Sequence, residues 1–352
     1  MKRVLKRIEF LLPVFLCCLS LNSSAQDYQN AGDYMDHINK AKQALTTKYL
    51  VYLSAVSHGK SARKVEKRRA EVVASISDTR YDIMGMPPWK GDRSLKDTTV
   101  AYLKMLNSVF NEDYGKIVDM EEIAEQSYDA MEAYLMAQDK AYEKLNEAAE
   151  KINTTQKAFA AKNNITLVDG GETETESKTK IVNAVMDHCN EVYLIFFKSY
   201  KQEAYLVEAI TKRNLVSIEQ NINSLQKFSE EGLEKLKKIK GYNNDASLIT
   251  ACRTMMNYYK DEAAKGPAIS DFFLKAEDFE KIKKQFDAKP AGKRTQQDVD
   301  QYNKAVNEMN AASNKFNATM ADLNKQGTAG LNDWNKTYNK YLDEYMPKQQ
   351  RQ

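Results

Sequence analysis

Three histidines serve a chain of 352 residues, and two of them sit in the same short phrase. Met35-Asp36-His37-Ile38-Asn39 is echoed by Met186-Asp187-His188-Cys189-Asn190. An imidazole beside a carboxylate on a helix can ligate a metal when a second helix brings an equivalent pair to face it. His37 and His188 are therefore the residues through which a metal could be held, and they carry the alternative reading of a periplasmic bundle that binds a small ligand or a metal. Carboxylate bundles that hold two metals use Glu-x-x-His on paired helices, which this chain lacks, and no His-Glu-x-x-His occurs. A histidine packed within a helical interior is the simpler reading of both.

A second group carries charge. From His58 to Arg69 the chain reads Lys60, Arg63, Lys64, Lys67, Arg68 and Arg69, with Glu66 as the only acid among them. Such a cluster can bind phosphate, lipid headgroups or an acidic polysaccharide, or be a solvated helix face. Trp89, after Pro87-Pro88, falls at a helix tip, where an indole can anchor a partner or fold down as a plug over the bundle end. We take these six basic residues and Trp89 as the candidate partner-binding set. Nothing forms a nucleophile constellation or a phosphate-cradling glycine loop, and no cofactor motif is present, so the chain reads as a non-enzymatic protein.

These residues must be positioned by helices. Met131, Leu135, Gln138, Tyr142, Leu145, Ala149, Ile152, Gln156 and Phe159 step by four and three, the stripe of a long helix that buries one side. The pattern returns at Tyr302, Val306, Met309, Ser313, Phe316, Met320 and Leu323, so that Phe159 falls on Phe316. With only 13 glycines and 6 prolines, turns are too few for a β-rich fold. The predicted fold is all-α: an elongated antiparallel helical bundle built from two related halves with long heptad-patterned helices.

Lys2, Arg3, Lys6 and Arg7 precede an apolar run from Phe10 to Leu21 and then Ser23-Ser24-Ala25. That is the plan of a signal peptide over residues 1–25, with Cys17 or Cys18 as possible lipid acceptors in a poor lipobox. No later stretch is apolar for long enough to span a bilayer. Removing residues 1–25 takes four basic residues and Glu9 with it, which leaves 48 basic against 48 acidic side chains. A neutral surface argues against a nucleic-acid partner. The chain is expected to be exported to the periplasm or outer cell surface, to be no integral membrane protein, and to meet a protein or another envelope component.

The expected division is helical unit 1 over 26–166, a polar linker over 167–178 and helical unit 2 over 179–352. Within unit 1, helices are expected over 61–83 and 94–111, with a break at Gly115. In unit 2, one straight helix over 179–240 would hold Cys189 tens of ångströms from Cys252 at about 1.5 Å per residue, leaving two buried, unpaired thiols. Gly241-Tyr242-Asn243-Asn244-Asp245 stands where Trp89–Asp92 stood, and Leu248–Tyr259 echoes Leu95–Leu106. A short helix over 270–286 and a loop over 289–293 have no counterpart in the first half. These matching phrases predict an internal duplication.

His58-Gly59-Lys60-Ser61-Ala62-Arg63-Lys64-Val65-Glu66-Lys67-Arg68-Arg69 resembles a family of uncharacterised bacterial proteins, the leptospiral-type helical surface protein family. Lys90–Asp97, Phe110–Tyr114 and Met120–Tyr134 extend the resemblance over most of the first half. It implies an exported, envelope-associated protein and brings no catalytic residues.

Overall fold

The structure is a computed structural model that describes residues 28–57, 62–167 and 174–347. The segment read as a signal peptide, Lys60 and the Asp169–Gly171 part of the linker lie outside the described residues. Among the described residues the chain is helical and has no strand. The helices are α1 (Ala31–Ser57), α2 (Ala62–Gly85), α3 (Ser94–Ser108), α4 (Tyr114–Ala124), α5 (Tyr128–Lys162), α6 (Glu174–Thr211), α7 (Leu215–Leu236), α8 (Ser247–Ala264), α9 (Gly266–Ala288) and α10 (Gln296–Tyr345).

The expected break at Gly115 is displaced. Val109–Asp113 form a π turn that carries α3 into α4, with Gly115 inside α4, and the chain reverses only after Ala124. Ser127 then starts α5 by accepting the Ala130 N–H at 3.1 Å. All nine positions of the stripe from Met131 to Phe159 are buried or half-buried.

The straight helix expected over 179–240 is also corrected. It breaks at Lys212–Asn214, and α7 folds back along α6. No glycine or proline marks this turn. Arg213 takes a left-handed φ of 54°, and Asn214 caps α7 by accepting the Ser217 N–H at 3.1 Å. Residues 174–178, read as part of the linker, belong to α6.

Two cores result. One gathers Tyr34, Ile38, Ile76, Leu103, Phe110, Leu145 and Phe159 from α1, α2, α3, the π turn and α5. The other gathers Val185, Val192, Leu206, Leu225, Met256, Trp334 and Tyr341 from α6, α7, α8 and α10. Met131 and Leu135, at the start of α5, belong to the second core. One 35-residue helix therefore runs from one core into the other.

Outside both cores stands a two-helix arm. From Leu274 to Ala288 no residue of α9 is buried, and from Gln296 to Asp322 of α10 only Ala305 and Ala312 are. At its base Phe272 stacks on Phe316 at 4.4 Å against the second core, and farther out Phe286 stacks on Tyr302 at 4.5 Å. Fifteen residues at about 1.5 Å each give it a length of roughly 22 Å. The run expected over 270–286 is thus longer at both ends and is one leg of this arm.

Candidate functional site

The two tight turns are built alike. Trp89 and Asp92 exchange backbone hydrogen bonds of 3.1 and 2.8 Å, with positive φ at Lys90 and Gly91. Tyr242 and Asp245 bracket the second, with positive φ at Asn243 and Asn244. Positive φ at both central residues is the tight-hairpin geometry that Gly and Asn tolerate. Each aspartate then accepts the N–H two residues on, Asp92 from Ser94 at 2.9 Å and Asp245 from Ser247 at 2.7 Å. Each also ties down the end of a long helix. Lys162 of α5 donates to Asp92 at 2.7 Å, and the Tyr345 hydroxyl of α10 donates to Asp245 at 3.0 Å. The Lys162 bond is the main reason the Asp92 carboxyl is held down to about 2.

Trp89 is not a free tip. Its indole N–H donates to Asn163 Oδ1 at 2.9 Å and its ring lies against Tyr34 at 5.9 Å, so it closes the bundle end. The basic cluster divides. Arg68 pairs with Glu71 at 2.6 Å. Arg69 grips Glu66 with two bonds and donates to the Phe110 carbonyl at 2.6 Å, where the π turn displaces the backbone from helical bonding. Arg63, Lys64 and Lys67 are exposed and are the part of the predicted set that faces solvent.

The histidines do not converge on a metal. His37 Nε2 bonds Asp82 Oδ2 at 2.8 Å, and its ring meets Tyr28. His188 is buried against Tyr341, with ring centroids 5.7 Å apart, and burial lowers its pKa. Neither His188 Nε2 nor the Tyr341 hydroxyl has a hydrogen-bond partner. Among the described residues no group of three or more His, Cys, Asp or Glu side chains is placed to hold a metal ion.

The cysteines are unpaired, but not for the reason expected. The α6–α7 reversal lays α8 against α6, and the Cys252 thiol donates to the Val192 carbonyl at 3.7 Å, three residues beyond Cys189. Both thiols are fully buried, and that burial pushes each up to about 12.

Two features had no signal in the sequence because they join distant segments. The first is a buried carboxyl pair. The Tyr258 hydroxyl donates to Glu203 Oε1 at 3.2 Å, and Glu262 lies close enough for the Glu203 charge to act on it. Glu262 is 4% exposed, and burial, reinforced by the Glu203 charge, raises its carboxyl to about 8. The second is a cavity of about 150 Å³ at the first core, lined from α1, α2, α3, the π turn and α5 and by Thr179 of α6.

The fold and these sites define, among the described residues, an all-helical protein with two cores, both of which α5 enters, and a projecting arm. No helix among the described residues is long and apolar enough to cross a membrane. No protein-family model matches the chain, and no curated protein or solved structure matches it either.

Proposed function

We propose that this chain is a non-enzymatic, exported protein of the bacterial cell envelope that holds a protein or another envelope component through its elongated helical surface. The observation that carries this reading is the α9–α10 arm. It buries almost nothing of its own and contributes little to either core, yet it is ordered by a Thr295–Asp298 capping box and by the Lys275–Glu308 ion pair at 2.9 Å. A charged two-helix projection of that kind is suited to contact outside the molecule. The exposed Arg63, Lys64 and Lys67 on α2 offer a second, basic surface. Export rests on the charged and apolar pattern of residues 1–25, and family membership rests on the resemblance over the first half.

The same reading includes an internal duplication, α1–α5 followed by α6–α10. The paired turns at Trp89–Asp92 and Tyr242–Asp245 support it, since each starts a helix through Ser94 or Ser247 and anchors the last turn of a long one. They favour a register in which Lys162 matches Tyr345. Phe159 and Phe316, matched by the heptad echo, have different surroundings: Phe159 stacks on Tyr34 near the first turn, and Phe316 stacks on Phe272 in the arm.

Photocrosslinking residues placed at Lys283 and Lys293 of the arm, and at Lys64 and Lys67 of α2, test the proposal on whole cells. A discrete adduct from either pair is the expected result. Background labelling from all four positions would overturn it. Protease access to residues 164–177 on intact against permeabilised cells separates the outer surface from the periplasm.

The alternative of a small-ligand bundle has one observation in its favour, the cavity of the first core.

A further inference from the structure

We propose that the pocket between α1, α4, α5 and α6 binds a small organic ammonium ion, held by the Asp139 and Asp187 carboxylates against a wall of tyrosine rings. The inference stands apart from the partner-binding reading, since this pocket uses neither the arm nor the basic residues of α2.

The pocket lies where the two halves meet. Tyr49, Tyr52, Tyr114 and Tyr142 line it from α1, α4 and α5, and Asn183, Met186 and Asp187 line it from α6. Tyr52 stands edge-on to Tyr114 at 5.7 Å, and Tyr114 stacks on Phe110 at 4.9 Å, so these rings are held by the core behind them. Burial raises the Tyr114 hydroxyl to about 12 and raises Tyr49 as well, so both stay uncharged. The space is half-open and measures about 80 Å³. That is roughly half of what admits a benzene ring, so it suits an occupant of about four heavy atoms.

The charge of the lining is negative throughout. Asp139 and Asp187 are its charged residues, and no base among the described residues joins them there. Their own helices supply none at the next turn, where Asp139 is followed by Glu143 and Asp187 by Glu191. The first half differs at this point. Asp36, which matches Asp187 in the echoed phrase, pairs with Lys40 four residues on at 2.7 Å. Lost hydration raises both pocket carboxyls above their ordinary value, and the charges that add to it are again acids, Glu143 on Asp139 and Asp139 on Asp187. Beside them the Asn183 amide nitrogen is shut off from solvent and has no hydrogen-bond partner. Of the phrase Met186–Asn190, Cys189 joins the second core and His188 packs on Tyr341, while Met186, Asp187 and Asn190 line this pocket.

An ammonium ion at the two carboxylates relieves their repulsion, and tyrosine rings favour a cation. A short carbon chain packs on Met186 and the rings, and a hydroxyl on that chain supplies the acceptor that Asn183 lacks. An anion would meet two like charges.

The test uses the full mature chain with its methionine methyl groups labelled for NMR. Met186 is the reporter in the pocket, assigned through Met186→Leu. Ethanolamine is expected to shift that signal saturably, with one site per chain. Glycolate, of similar size and opposite charge, and sodium ion alone are expected to act about tenfold more weakly or less. Asp139→Asn and Asp187→Asn are each expected to weaken ethanolamine by about tenfold or more. Both positions are exposed, so helix content read by circular dichroism should stay that of the wild type. Absence of a saturable shift with ethanolamine, an equal response to glycolate or to sodium ion in the wild-type chain, or an ethanolamine affinity indifferent to either aspartate variant would each overturn the proposal.

Discussion

At the scale of single residues, the buried polar groups are the most informative. Glu262 titrates at about 8 in the folded chain, against an ordinary carboxyl near 4.5 when unfolded. A carboxyl with a raised folded value favours the folded state while it is protonated in both. That contribution is complete below about pH 4.5 and is lost as pH rises toward 8 and beyond. Melting temperature should therefore fall between pH 5 and pH 9, and Glu262→Gln should flatten the decline and raise stability at pH 9 by a few kcal/mol at most. An unchanged profile in the variant would mean that Glu262 does not govern it. Arg69→Met should destabilise by about 1–3 kcal/mol, because it removes the charged donor to the Phe110 carbonyl together with the two bonds to Glu66. Chemical denaturation measures that directly. The two thiols, buried and held at about 12, should resist thiol reagents in the folded chain and react once it is unfolded.

At the scale of elements, glycines separate helices that need close approach from those that do not. A Cβ at Gly327 of α10 would lie 2.7 Å from the Tyr258 hydroxyl, which is engaged with Glu203 and the Leu323 carbonyl. Gly327→Ala should lower stability by about 1–3 kcal/mol through displacement of that tyrosine. A Cβ at Gly115 of α4 meets nothing within 4 Å. Gly115→Ala should instead stabilise by about 0.5–1 kcal/mol, since it removes backbone freedom from the unfolded chain in a helical position. Thermal melts of the two variants should move in opposite directions. The same contrast explains why Gly115 reads as a breaker yet sits inside a helix: the chain is turned instead at Ser127, where a side-chain cap is available.

At the scale of the molecule, α5 couples the two cores. Met131 and Leu135 belong to the core built on α6, α7, α8 and α10, while Leu145 and Phe159 belong to the core built on α1, α2 and α3. The wild-type chain should melt in one transition. Gln138→Pro, placed between the two contact regions, breaks the helix at a cost of about 3 kcal/mol or more and should split the melt into two. A single transition in that variant would mean that the cores are coupled elsewhere, through α1 and α6, which also touch.

Local chemistry was legible without the fold. The step of four and three along Met131–Phe159 set a helix and the side it buries, because periodicity is a property of neighbouring residues. The turns at Trp89–Asp92 and Tyr242–Asp245 were legible because Gly and Asn tolerate the positive φ that such turns require. The α6–α7 reversal was not, because it falls on Lys212-Arg213-Asn214, where an arginine adopts the left-handed backbone that glycine usually supplies. Long-range consequences in the second half followed from that turn: Cys252 came to lie beside α6, and Glu203 met Glu262 across 59 positions of chain. Trp89 could anchor a partner or close the bundle until Asn163 was in reach of its N–H. The cavity belongs wholly to tertiary structure, since Lys42, Ile76, Tyr102 and Tyr142 are each ordinary helical residues and only the spacing of four helices leaves room between them. The sequence by itself determined which segments are helical and which faces must be covered. Only the packing of those faces decided what covers each one, because side chains far apart in the chain interact only after the backbone has turned.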